Sequence, residues 1–146
     1  MVNGETMGKK EFDFWQDHSI NYLEMAFDSQ RHEIIEKADG YAKKKGDCGD
    51  SIQLYLVVEN DTVTRVTFLL EGCMNTNACA NAVATLAEGN SVEKVWNITP
   101  EMVIEYLKTL PMENYHCAEL VVGALYLALA NYHQLKRNNW KKLFAR

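Results

Sequence analysis

At 146 residues, with 47% hydrophobic and 24% charged side chains, the chain can bury a core without disulfide staples and is too apolar for disorder. A net charge of −5 argues against a nucleic-acid surface, and the opening MVNGETMGKKEFDFW lacks the apolar centre of a secretory signal. The longest nearly apolar run, residues 120–130, falls short of the ~20 residues that span a bilayer, so a cytoplasmic protein with no membrane partner is expected. Its four cysteines then point to metal, sulfur chemistry or burial as small hydrophobes, not to a disulfide framework. One domain over residues 1–146 is the simplest organisation, with a basic helix or tail over about 134–146.

Ser19 is placed to cap a helix that carries Ile20, Leu23 and Phe27 at spacings of three and four, one amphipathic face. The polar stretch DSQRHEIIEKADGYAKKKG reads as a loop leading to the first of the later cysteines. From Ser51 the period changes to two: Ile52, Leu54, Leu56 and Val58 alternate with Gln53, Tyr55, Val57 and Glu59. Asn60 and Asp61 make a turn, and Val66, Phe68 and Leu70 continue a second strand that ends at Gly72. A helix over 77–88 puts Ala78, Ala82, Val83 and Leu86 on one face. Thr99 followed by Pro100 marks the start of another, through Leu107. Pro111 breaks the pattern. The last helix begins around Glu113 and carries Cys117, Leu120, Val121, Ala124, Leu125 and Leu129 towards His133, apolar enough to lie in the core against the hairpin. This order predicts an α+β fold: a small antiparallel sheet, a hairpin open to a third strand, covered on one face by helices.

Three cysteines fall at element boundaries. Cys48 lies in GDCGD, residues 46–50, between Asp47 and Asp50, where a thiolate is repelled in the empty chain. The outer ends of a hairpin meet, so Cys48 and Cys73 are expected to be neighbours. Cys117 joins them if the last helix starts at that end, where the helix dipole would favour its thiolate. Three converging thiolates suit zinc, or iron with sulfide, and either Asp50 or His116 could supply a fourth ligand. Against this stand plainer readings: inert buried thiols, Asp50 as a turn residue, His116 as a helix-start hydrogen-bonding group. Cys79 could face the site or the core, and its small neighbours Ala78, Ala80 and Ala82 favour the core. His18, His32 and His133 read as surface or packing residues, and Asp47 as a solvated loop charge. The end of the chain, NNWKKLFAR, spaces Trp140, Leu143 and Phe144 along one helical face, with five basic and no acidic side chains from Lys136 onwards.

GDCGDSIQL, EGCMNTNACANAVA and LPMENYHCAELVVGALYLALANY resemble, in order and separation, the three cysteine blocks of the NifU/IscU family of iron–sulfur cluster assembly scaffolds. The resemblance covers residues 47–132, and HSINYLEMAF is similar to the family's leading helix. It implies that Cys48, Cys73 and Cys117 accept sulfur or bind the nascent cluster, with Asp50 and His116 at the family's aspartate and histidine positions. It implies a carrier and not an enzyme. Sulfur would arrive as persulfide from a cysteine desulfurase of the NifS/IscS kind, with iron from an iron donor. The [2Fe–2S] or [4Fe–4S] cluster would then pass to apo-proteins. Zinc can occupy the same site in isolated members, a homo-oligomer is compatible with the family, and the basic C-terminal face is a candidate surface for the desulfurase.

Leu110, Pro111, Met112, Glu113 and Asn114 stand where members served by a dedicated chaperone carry LPPVK, which argues against such a chaperone here. No insertion separates the second and third cysteines, which favours a scaffold over a zinc-dependent sulfurtransferase. A Cys–His hydrolase using Cys117 is disfavoured because adjacent His116 and Cys117 should point in different directions on a helix.

Overall fold

The computed structural model describes residues 13–47 and 49–144, with the backbone alone over 140–144. Cys48, and the side chains of Trp140, Leu143 and Phe144, therefore lie outside the described residues. In chain order the elements are α1 (Phe14–Asp17), α2 (Ile20–Phe27), β1 (Gly40–Lys45), β2 (Ser51–Glu59) and β3 (Thr62–Glu71). The helices α3 (Met74–Ala87), α4 (Val92–Val95), α5 (Pro100–Leu107), a 3-10 turn (Met112–Asn114) and α6 (Tyr115–Phe144) complete it. The strands form one antiparallel sheet in the order β1–β2–β3. With helices packed on it, the fold is α+β as the alternation pattern predicts.

The hairpin turns at Asn60 and Asp61, whose φ angles of 54° and 59° match the right-handed twist of the flanking strands. A register irregularity between Val57 and Val58 leaves Arg65 opposite the first and Val63 opposite the second. Ile52, Leu54, Leu56, Val66 and Phe68 are fully buried on the helix-covered face. Beyond β3, Phe68 donates its N–H to the Arg31 carbonyl, so the segment before β1 shields part of the outer edge.

Two expectations need correction. The polar stretch before Cys48 is not all loop: Gly40–Lys45 pairs with β2 from Gly40↔Leu56 to Lys45↔Ser51. Its lysines hide a strand whose buried positions, Gly40 and Ala42, are too small to register as hydrophobic alternation. Small residues are required because α6 crosses closely; a Cβ at Gly40 would lie 2.5 Å from the Ala128 carbonyl oxygen. The aliphatic stem of Lys44 likewise rests against Gly123 of α6. In α2 the Ser19 cap forms, its Oγ accepting from the Tyr22 N–H, but the buried face is Tyr22 and Ala26. Ile20 and Phe27 are 73% and 54% exposed, and Phe27 stacks on Trp15. The α2 face turns this way because Asn77 and Asn81 of α3 donate side-chain N–H groups to the Met25 and Asp28 carbonyls, fixing the end of the helix.

The helix predicted over 77–88 starts earlier, at Met74, and α5 begins at Pro100 behind its Thr99 cap as expected. The last helix runs through 30 residues without a break, so the basic terminal segment continues α6. All three remaining histidines make packing or hydrogen-bond contacts. His18 stacks on Tyr22, His32 meets Asn77 Oδ1, and His133 accepts from the Trp96 indole N–H. Among the described residues no helix is long and apolar enough to cross a membrane.

Candidate metal and sulfur site

The open end of the β2–β3 hairpin organises the site. Pairing of Ser51 with Glu71 brings Asp50 beside Gly72, and hence beside the start of α3. Gly49 has φ +92°, a conformation that side chains rarely adopt, and its N–H donates to the Gly46 carbonyl. Gly46 in turn donates to the Asp50 carbonyl at 2.7 Å, closing the 46–50 loop on itself. Cys73 is the extended N-cap of α3, and Thr76 follows one turn later on the buried side. The first turn of α6, which packs beside α3 on the same face of the sheet, contributes His116 and Cys117.

These elements bring together Asp50, Cys73, His116 and Cys117. Single ligand atoms of Asp50, His116 and Cys117 all lie within 4.8 Å of one another, a mixed oxygen, nitrogen and sulfur set suited to zinc or iron. Cys73 is joined to the group by Thr76, whose Oγ1 is 3.9 Å from Cys73 Sγ and 3.6 Å from Cys117 Sγ. The same hydroxyl donates to Asp50 Oδ2 at 3.0 Å. Cys48 lies outside the described residues, between Asp47 and Gly49 of this loop. A cleft of about 380 Å³ opens alongside, lined by Lys44, Lys45, Asp47, Asp50, His116 and Glu119 among others.

His116 is exposed and Cys117 buried, yet His116 Nε2 lies 3.6 Å from Cys117 Sγ. The expected divergence of these neighbours is therefore incorrect. Their Cα–Cβ vectors differ, but the imidazole is long enough to return to the sulfur at the first turn. The expected effect of the helix dipole also falls on a different cysteine. Burial pushes the Cys117 thiol up; a hydrogen bond from Thr76 opposes it, the charges of Cys73 and Asp50 add to the rise, and Asn114 opposes it least. At Cys73 partial burial also acts upwards. There, however, hydrogen bonds from the backbone and side chains of Thr76 and Asn75 outweigh it and bring the thiol below its ordinary value. Cys79 is fully buried and its thiol is pushed well up, which places it in the core as its small neighbours suggest.

Sequence reasoning did not single out Thr76, Asn75 or Tyr22. The Tyr22 hydroxyl donates to Asn75 Oδ1, and the Tyr22 phenol is pushed up to about 12, by burial first and then by the nearby cysteines. Thr76 and Asn75 stand ahead of the helix predicted over 77–88; only its earlier start at Met74 puts Thr76 three residues after Cys73 within one helical turn, where side chains share a face.

The NifU-like N terminal domain family matches residues 23–139. Iron-sulfur cluster assembly scaffold proteins IscU 1 and IscU 2 of Archaeoglobus fulgidus are each 31% identical over 99 residues, 67% of this chain. Nitrogen fixation protein NifU of a Nostoc species is 26% identical over 80% of it. The chain spans 65% of the length of the two Archaeoglobus proteins and 42% of the Nostoc one. Among solved structures, the N-terminal part of a NifU-like protein from Brucella abortus superposes with a TM-score of 0.66 at 14% identity, covering 80% of this chain and 94% of its own. A putative cluster assembly scaffold for the SUF system from Fervidobacterium islandicum gives 0.64 at 19% identity, covering 76% and 95%. These two share the fold.

Proposed function

The chain belongs to the NifU-like N-terminal domain family, and from that premise we propose that it is a scaffold on which an iron–sulfur cluster is assembled and then released to other proteins. The observation that carries this reading is the convergence of Asp50, Cys73, His116 and Cys117 at one open end of the sheet, with soft and hard donors mixed. Cys48, in the loop between Asp47 and Gly49, is the third thiol of the proposal.

The cluster is cargo, and iron and sulfane sulfur are its substrates. A thiolate of Cys48, Cys73 or Cys117 attacks the outer sulfur of a desulfurase persulfide. The S–S bond breaks, the desulfurase cysteine leaves as thiolate, and the acceptor becomes the persulfide with no net oxidation. Each sulfane sulfur then takes two electrons from an external reductant to become sulfide between irons. Three thiolates with Asp50 or His116 leave one corner more weakly held than four thiolates would, and a recipient thiolate enters there. The cargo is a [2Fe–2S] or [4Fe–4S] cluster, and the partners are a cysteine desulfurase, an iron donor and apo-proteins. The chain acts as a carrier.

Anaerobic reconstitution with iron, cysteine and a desulfurase tests this. Acid-labile sulfide and visible charge-transfer absorption are expected in the parent and lost in Cys48→Ala, Cys73→Ala and Cys117→Ala. Asp50→Ala is expected to load but to hold its cluster longer during transfer to an apo-ferredoxin; equal transfer rates would remove the release role of Asp50. The compact Asp50–His116–Cys117 group supports a second reading, a zinc-bound sulfur acceptor. Zinc binding with persulfide turnover and no labile sulfide would select it.

A further inference from the structure

We propose that Thr76 is a positioning residue that sets the hold of Asp50 on the cargo, an inference that rests on the scaffold reading. Thr76 is completely buried, and its single hydroxyl proton faces three acceptors: Asp50 Oδ2 at 3.0 Å, Cys117 Sγ at 3.6 Å and Cys73 Sγ at 3.9 Å. One proton serves one of them well. The carboxylate oxygen, nearest and charged, takes it. The remaining oxygen, Oδ1, is left for a ligand role.

The fit around this pair is close. A Cβ at Gly72 would stand 2.8 Å from Thr76 Oγ1 and 3.4 Å from Asp50 Cγ, so bare backbone at 72 makes room for hydroxyl and carboxylate together. Among the described residues no lysine or arginine forms an ion pair with Asp50, although Lys44 and Lys45 line the same cleft. The Thr76 hydroxyl, therefore, and not a counter-ion, restrains the carboxylate. Without it Asp50 turns away from the bound iron, and the weak corner through which the cluster leaves is lost.

The test compares Thr76→Val, which keeps the shape and removes the hydroxyl, with Thr76→Ser, which keeps the hydroxyl. Both are measured against the parent and Asp50→Ala for cluster transfer to an apo-ferredoxin. Thr76→Val is expected to slow transfer about tenfold, the worth of one hydrogen bond to a charged group. Thr76→Ser should restore the parental rate, and Thr76→Val should add nothing in the Asp50→Ala background. Cobalt(II) bound in place of iron should show ligand-field bands shifted by Thr76→Val in the parent and unshifted by it beside Asp50→Ala. Parental transfer with unshifted bands, or an effect that persists without Asp50, overturns the proposal.

Should Thr76→Val not fold, Gly72→Ala crowds the hydroxyl off Asp50 without deleting it; slowed transfer supports the proposal and parental transfer overturns it. A parent chain that builds no cluster removes the scaffold reading, and the cobalt bands then decide the role of Thr76 alone.

Discussion

Among the described cysteines, position and not residue type decides reactivity. Cys73 is exposed at the N-cap of α3 with hydrogen-bond donors around its sulfur, whereas Cys117 is buried beside it and Cys79 is buried deeper. Limited iodoacetamide treatment of the metal-free chain near pH 7 should therefore label Cys73 before Cys117. Cys79 should stay unmodified until denaturant is added, as peptide mass mapping would show. Labelling of Cys117 first would contradict the burial and hydrogen bonding assigned here. The sequence discloses Cys73, Cys117, Asp50 and His116 because thiol, carboxylate and imidazole carry their chemistry in any setting. Thr76 is silent in the same reading. A threonine is chemically noteworthy only when folding sinks its hydroxyl among acceptors, and that depends on the packing of α3 against α6.

The same contrast holds for the elements. The hairpin is legible because its inward residues are large and alternate, and because Asn60–Asp61 is a turn pair with an evident backbone reason. β1 is not, since contact with α6 demands Gly40 and Ala42 where a pattern search looks for large apolar residues. Gly40→Ala measures how much that close crossing matters. Its new methyl would meet the Ala128 carbonyl at 2.5 Å, a backbone atom that cannot swing aside. Overpacking of this kind costs about 1–3 kcal/mol. The urea midpoint should fall accordingly with the slope unchanged, and an unaltered midpoint would mean that α6 does not press on β1 as described. The expected face of α2 holds only at Leu23, for a related reason. Ile20, Leu23 and Phe27 satisfy the helical period, but the Asn77 and Asn81 side-chain amides hold the helix with Tyr22 and Ala26 inward, Leu23 packed against the core and Ile20 and Phe27 outward.

At the level of the whole molecule, the site belongs to no single element. Asp50 comes from the loop before β2, Cys73 from the start of α3, and His116 and Cys117 from the start of α6. Spacing along the chain could not place them at one point; only the closed hairpin and the direction of α6 do. A metal bound there ties together segments that unfolding would separate, so its binding energy adds to folding stability. Zinc at about one hundred times its dissociation constant should stabilise the chain by about 2.7 kcal/mol. For a chain of this length that corresponds to a rise in melting temperature of roughly 5–10 °C. The rise should appear in one cooperative transition followed by calorimetry, vanish with a chelator, and shrink in a His116→Ala, Cys117→Ala double variant. Because ligand thiols must lose protons to bind, the zinc-dependent rise should also weaken as pH falls below neutrality. A melting temperature indifferent to zinc across that range would mean that the described donors do not close on one ion, and would leave the hairpin and α6 joined by packing alone.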